Sequence, residues 1–346
     1  MKEYGSDFHY ICDFQGSNNS LHNFYPHANY YADGRQALIH LYHTQGWQRI
    51  WMPDYFCYDV IASLKEAGLN LGFYQDWPDE HGDSEAIEVI QQAEGFHPTD
   101  AVLRVNYFGM RSYRAAEELS VAAVVEDHTH DLIGGWAKHS AADWCIASLR
   151  KTMPIPEGGM LWSPKGLPLP KAPVGSVNNE KIAAIRWEAM KLKIEYLAGE
   201  AVEKDAFRKG YVGTEEFFDT APICALDKMS QEYLKSFNIS EWYERKRENW
   251  NLLKDIKKDG VRVVCPEDKG CYPFSLVLLF DNPEERERVR KGLIAHQVYP
   301  TILWNVPVQA DDEIIQFSHN MLSIHCDARY TKDEILEMKS IIESIL

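Results

Sequence analysis

Two stretches of this chain carry residues that could do chemistry together. In VVEDHTHD an apolar run (Val121, Val124, Val125) stops at Glu126 and Asp127 and turns through His128 and His130. That pattern predicts a buried strand ending in a polar turn, which is where open α/β sheets hold their ligands. In IASLRKTMPIPEGGML a second short strand, Trp144 to Ala147, leads into a corner with Ser148, Arg150 and Lys151. A proline-punctuated loop then closes at Glu157, Gly158 and Gly159. A strand-end aspartate alone is commonly a turn former, and a lone lysine is commonly solvated. Their order, their strand context and the glycine turn together point to a site.

A carboxylate followed by a lysine meets the demand of one cofactor. Pyridoxal phosphate needs a lysine amine to hold its aldehyde as a Schiff base, and an acid beside its pyridine nitrogen to keep the ring protonated as an electron sink. Lys151 and Asp127 supply the two groups. The stretch resembles the fold type I pyridoxal phosphate enzymes, and among them the DegT/DnrJ/EryC1/StrS sugar aminotransferases. The features carrying that resemblance are the acidic pair Glu126 and Asp127, then His130, Ser148, Lys151 and the Glu157 to Gly159 turn. Two spacings depart from the family pattern: the glycine turn lies further from the lysine, and Ser148 lies nearer to it. The resemblance implies that Lys151 and Asp127 are catalytic, that His130 faces the cofactor's phenolate oxygen, and that Ser148 meets its phosphate. His128 reads as structural.

A second element, ADGRQALIHLYHTQG, predicts a helix capped by Asp33 with Ala37, Leu38, Leu41 and Tyr42 on its apolar stripe. A helix start with a glycine and free amides is a natural phosphate cradle. It resembles the family's Ser-Gly-Thr-x-Ala-Leu or Ser-Gly-Arg-x-Ala-Leu element, which implies that Gly34, Arg35 and Gln36 surround the cofactor phosphate. Asp33 replaces the serine and reads as a cap. After the next strand, Ile50 to Met52, the family's loop presents an aromatic face to the pyridine ring. Tyr55, Phe56 and Tyr58 all qualify, with Tyr55 favoured and Phe56 carried as a further cofactor contact. Tyr107, after the strand AVLRVNYFGM, and Arg329, in a family-like Asp-x-Arg-Tyr turn, are carried as substrate contacts. The Arg329 position reads more readily as a structural ion pair. The family's partner-subunit Asn-x-Arg has no counterpart here.

The elements that must position these groups alternate. Strand, helix and strand follow at 50 to 52, 60 to 67 and 71 to 74, then a helix at Ser84 to Ala93, a strand at 101 to 105, a helix at Arg114 to Leu119, and the Asp127 strand. This βα rhythm predicts a mainly parallel sheet of the seven-stranded type, flanked by helices. A long helical pattern from Asn178 to Lys204 sets charges on one side and Ile182, Ile185, Met190, Ile194 and Leu197 on the other, as in helices that pack across a dimer, and Thr214 is expected to cap another helix. Beyond Gly260, strands and helices at 261 to 265, 273 to 280, 283 to 296 and 322 to 330 predict a small α+β C-terminal domain. The expected division is an N-terminal segment of residues 1–30 packed on the body, a large cofactor domain 31–235 and the small domain 236–346.

At 346 residues the chain can build such a core, and 45% hydrophobic with 25% charged residues is ordinary for a globular enzyme. A net charge of −16 argues against nucleic-acid or anionic-membrane partners. No apolar run of about 20 residues is present, nor an apolar signal core at the N-terminus, so a cytoplasmic protein is expected. Seven cysteines without CxxC spacing, and histidines clustered only at 128 to 130, give no metal site. The expectation is a homodimeric, pyridoxal phosphate-dependent aminotransferase. By resemblance it is expected to take glutamate as donor and a nucleotide-linked keto sugar as acceptor. The alternatives are lyase or decarboxylase chemistry on the same cofactor, or a non-catalytic homologue that binds cofactor or metabolite.

Overall fold

The computed structural model describes residues 3–16, 19–78, 97–114, 123–307 and 310–346. Its centre is a seven-stranded sheet in the order β2-β8-β7-β6-β5-β3-β4. The strands are β2 (Asn29–Tyr31), β3 (Arg49–Pro53), β4 (Leu71–Tyr74), β5 (Asp100–Val105), β6 (Ala123–Asp127), β7 (Trp144–Ser148) and β8 (Gly159–Trp162). β4, β3, β5, β6 and β7 run parallel; β8 returns antiparallel to β7, and β2 antiparallel to β8. All of β5 and β6 is buried, as their near-continuous apolar sequences require when both sheet faces are covered. One apolar cluster, with Leu38, Ile50, Leu103 and Val125, and another, with Val124, Met160, Trp187 and Trp242, pack around this sheet.

The parallel register fixes the site. Val105 pairs with Asp127, and Asp127 with Ile146, so the C-terminal ends of β5, β6 and β7 open on the same rim. The helix Gly34–Gln45 points its N-terminus at this rim. Asp33 caps it, accepting the Arg35 amide, and Gly46 ends it in the left-handed conformation at φ +67°. Close packing holds the helix start. A Cβ on Gly34 would lie 2.9 Å from the Ser148 Cβ, and one on Gly159 would lie 2.2 Å from the Asp33 carbonyl oxygen. Only glycine fits at either place.

The C-terminal part is a three-stranded antiparallel sheet, β12 (Met321–His325), β10 (Ser275–Phe280) and β9 (Val261–Val263). Its core joins Leu276, Leu278, Leu293, Ile324 and Met338 to Tyr4 from the N-terminal segment. That segment is tied by a two-residue strand, β1 (Tyr4–Gly5), paired in parallel with β11 (Val298–Tyr299). Arg329 reinforces the tie. It pairs with Asp327 at 2.8 Å, donates to the Ser6 and Asp7 carbonyls, and lies 4.3 Å from the Phe8 ring centroid. Its side chain is 1% exposed. Arg329→Met would strand the buried Asp327 carboxylate and is expected to cost roughly 3–5 kcal/mol, read from the denaturant midpoint, while leaving cofactor affinity alone.

Several expectations are corrected. The long helix is Val177–Ala198, and it buries Ala183, Arg186, Trp187, Met190 and Lys193. Ile185 and Ile194 are 47% and 38% exposed. Trp187 offers the largest apolar area on the helix, and partners for the two cations let that face turn inward: Lys193 donates to Ser6 Oγ and the Asp7 carbonyl, and Arg186 to Thr214 and Glu215. Thr214 caps nothing. It lies inside the helix Lys204–Glu215, bonding back to the Gly210 and Tyr211 carbonyls. The helix Asp312–Asn320 and the β1–β11 pair had no expected counterpart. The expected helices at 84–93 and 114–119 lie outside the described residues apart from Arg114, as does Val121.

Candidate active site

At the C-terminal rim of β6 and β7 lies a cavity of about 330 Å³ lined by Asp127, His130, Ser148 and Lys151 together with the helix start at Gly34 and Arg35. Asp127 ends β6 with its Oδ1 accepting the Thr129 amide at 2.8 Å. Thr129 Oγ1 in turn accepts the Ser148 amide at 2.9 Å, which locks the ends of β6 and β7 together. Burial pushes the Asp127 carboxyl up, opposed by the Thr129 hydrogen bonds and by the positive Lys151. A cationic neighbour at this carboxylate would therefore be well received.

His130 is buried, and burial, together with the charges of Lys151 and Lys246, drives its pKa well below the ordinary histidine value. The neutral ring accepts the Phe108 amide at Nδ1, 3.1 Å away, so its single N–H sits on Nε2, free to donate. Lys151 ends the short turn Leu149–Lys151 that follows β7. Its Nζ lies 5.6 Å from the centroid of the Trp304 ring. At the other end of the cavity Arg35 is held by Asp33 at 3.1 Å and Asp219 at 2.5 Å. Arg150 donates to Glu215 at 2.6 Å, and its Nε is buried without a hydrogen-bond partner.

The fold brings most of the expected residues into one cavity, but not all. Gln36 points away: its side chain accepts the Cys224 amide at 3.1 Å and donates to the Pro222 carbonyl. As a side-chain contact it is corrected to a structural tie, because the second turn-face of the helix turns toward the 222–224 loop. Tyr55 is fully buried beneath the cavity, bonding the Leu303 carbonyl and packing edge-on against Tyr107 and Phe317. Phe56, next in sequence, lines the cavity instead. Tyr107 is also outside it, donating to the Tyr55 carbonyl at 2.6 Å. Arg329 is in the N-terminal clamp. His128 bonds Glu126 at 2.9 Å on the far side of β6, where Glu126, His128 and Cys145 are buried together.

One residue of the wall had no sequence signal. Trp304, in the loop after β11, stacks near-parallel to His130 at 19° with ring centroids 5.7 Å apart, and approaches Phe56 at 5.9 Å. Nothing in LWNVP marks its indole as facing a site some 150–180 residues earlier in the chain.

Pyridoxal phosphate fits these groups. Asp127 suits a protonated ring nitrogen, the Nε2–H of His130 suits a phenolate, and Lys151 suits an aldehyde. The helix start, cleared by Gly34, suits the phosphate with Ser148 and with Arg150, whose Nε lies 3.7 Å from Asp33 Oδ2. No family model matches the chain, and no curated protein matches it by sequence. Solved structures do. Spr1654 from Streptococcus pneumoniae, assigned as a sugar aminotransferase, superposes with a TM-score of 0.66 at 10% identity over 99% of this chain and 98% of its own. A DegT DnrJ EryC1 StrS aminotransferase from Brucella abortus gives 0.61 at 13% over 96% and 91%. PseC of Helicobacter pylori, an aminotransferase involved in the biosynthesis of pseudoaminic acid, gives 0.61 at 13% over 99% of both chains.

The fold is that of the sugar aminotransferases. It is the fold type I arrangement of a large, mainly parallel sheet with flanking helices and a small α+β part. Spr1654 is also known in forms with pyridoxal phosphate and with pyridoxamine phosphate. No helix among the described residues of this aminotransferase-fold chain is long and apolar enough to cross a membrane.

Proposed function

We propose that the chain is a pyridoxal phosphate-dependent aminotransferase that moves an amino group from an amino acid, glutamate by resemblance, to a keto sugar. The observation that carries this reading is the convergence of Asp127, His130 and Lys151 on one cavity at the rim of β6 and β7. The bound cofactor supplies an electron sink for the carbanion left when a Cα proton is removed. The protein's groups do the rest. Asp127 holds a proton on the ring nitrogen, and His130 donates from Nε2 to the phenolate oxygen. Lys151 would hold the cofactor's aldehyde and, with its amine free, would take up and return the donor's Cα proton. The helix start and Arg150 hold the phosphate. A homodimer in the cytoplasm completes the reading.

The test is the visible absorption of the purified protein with added pyridoxal phosphate, followed by borohydride and peptide mapping. Cofactor fixed on the Lys151 peptide supports the reading; an unmodified, folded protein removes it. Trp304→Ala is expected to weaken cofactor affinity about tenfold, the worth of one aromatic stack, in a titration followed by absorbance, whereas Tyr55→Phe should leave it unchanged. A second reading, a non-catalytic metabolite-binding homologue, draws on the carboxylates Asp33, Asp219 and Glu215, which already pair the arginines of the phosphate end. It predicts no fixation at Lys151.

A further inference from the structure

A second chamber, of about 370 Å³, opens beside the first, and His130, Arg150, Lys151 and Leu303 line both. Its remaining wall mixes apolar side chains, among them Phe8, Ile155, Met190 and Phe274, with Ser6, Asp7 and His325. One guanidinium is fixed in that wall. Arg186, on the helix Val177–Ala198, is 3% exposed. Its charged group lies between two aromatic rings, 5.7 Å from the centroid of Tyr211 and 5.2 Å from that of Phe218. Nη1 donates to Thr214 Oγ1 at 3.2 Å and to Glu215 at 2.9 Å.

The other edge of this guanidinium is unused. Nε is buried with no hydrogen-bond partner, and no described residue bonds Nη2. Thr301 Oγ1, in the same chamber, is likewise buried and unpartnered. The carboxylate bonded to Arg186, Glu215, is shared with Arg150, whose Nε also lies 3.7 Å from Asp33 Oδ2. A clamped guanidinium with a free Nε/Nη2 edge matches both oxygens of a carboxylate, and the ordering cost is already met by the fold. Apolar walls strengthen such a pair by excluding water.

We infer that Arg186 binds a substrate carboxylate in this chamber and so places the rest of that substrate beside Lys151. The role given to Lys151 rests on the aminotransferase reading; the anion site itself does not. Two substrates could bring the carboxylate: the amino-acid donor or an acidic sugar acceptor.

Glutarate, which has carboxylates and no amine, separates the anion site from the chemistry. Calorimetric titration into wild type, Arg186→Gln and Arg186→Lys is expected to show glutarate affinity falling roughly ten- to a hundredfold in the glutamine variant. The lysine variant, which keeps charge but loses the fork, should fall between. Should Arg186→Gln melt early, Arg186→Lys carries the comparison. In the half-reactions, a raised KM for L-glutamate at little-changed kcat assigns the site to the donor; a raised KM confined to the acceptor half assigns it to an acidic sugar. Absence of glutarate binding to wild type, equal affinity in wild type and variants, or unchanged KM in both halves overturns the inference. Arg186-dependent glutarate binding in a protein that fixes no cofactor at Lys151 would keep the anion site and remove the aminotransferase reading.

Discussion

Lys151→Ala is expected to abolish transamination while leaving the protein folded. In the proposed function the residue has two duties, anchoring the cofactor and moving the proton, and alanine can do neither. Loss of a positioned general base alone costs roughly 10²–10⁴ in rate, and loss of the covalent anchor comes on top. The fold should hardly notice. The Lys151 side chain makes no hydrogen bond or ion pair among the described residues, and its one aromatic contact, with Trp304 at 5.6 Å, is worth no more than about 1 kcal/mol at a partly exposed site. Asp127, His130 and the helix start remain, so the variant should still take up pyridoxal phosphate reversibly, and borohydride should no longer fix it to the chain. Full turnover by this variant would end the assignment.

Asp127→Asn should give the second-largest loss, of a different kind. Asparagine keeps the shape and can still accept the Thr129 amide that Asp127 receives at 2.8 Å, so the ends of β6 and β7 stay joined. What disappears is the negative charge that, in the proposed function, would face the ring nitrogen. Removing one preorganised electrostatic partner costs about 10²–10³ in kcat. Because burial already disfavours the charged carboxylate, the variant should be no less stable than wild type. Cofactor should still be fixed at Lys151, with turnover lost, so comparing attachment with kcat separates this variant from Lys151→Ala. An unchanged kcat would show that the ring nitrogen is not served by Asp127.

Much of the frame was legible because its signals are local. β6 announces itself as an apolar run broken by acids, the helix Gly34–Gln45 by its Asp33 cap and its stripe, and the corner after β7 by polar residues following a short strand. These depend on neighbours in sequence, and periodicity reads them. The inward face of the helix Val177–Ala198 is not legible, for the opposite reason. Its inward face carries Arg186 and Lys193, which look solvent-seeking until Thr214, Glu215, Ser6 and Asp7 arrive from elsewhere in the chain. Between Tyr55 and Phe56 the spacing alone does not choose. Adjacent side chains diverge, and which one faces the cavity depends on how the loop settles over Tyr107 and Phe317.

By itself the sequence determined the chemistry on offer: a strand-end carboxylate, a neutralisable histidine and a lysine, in the order that pyridoxal phosphate requires. Only the tertiary structure decided which groups meet. Parallel register brings Val105, Asp127 and Ile146 to one rim, and the loop after β11 carries Trp304 over it. The fold also turns Arg329 into a clamp on the N-terminal segment and Arg186 into a guanidinium with one free edge. A residue's type fixes what it can donate or accept, whereas its partners come from distant parts of the chain, and long-range packing alone sets which of its atoms remain free.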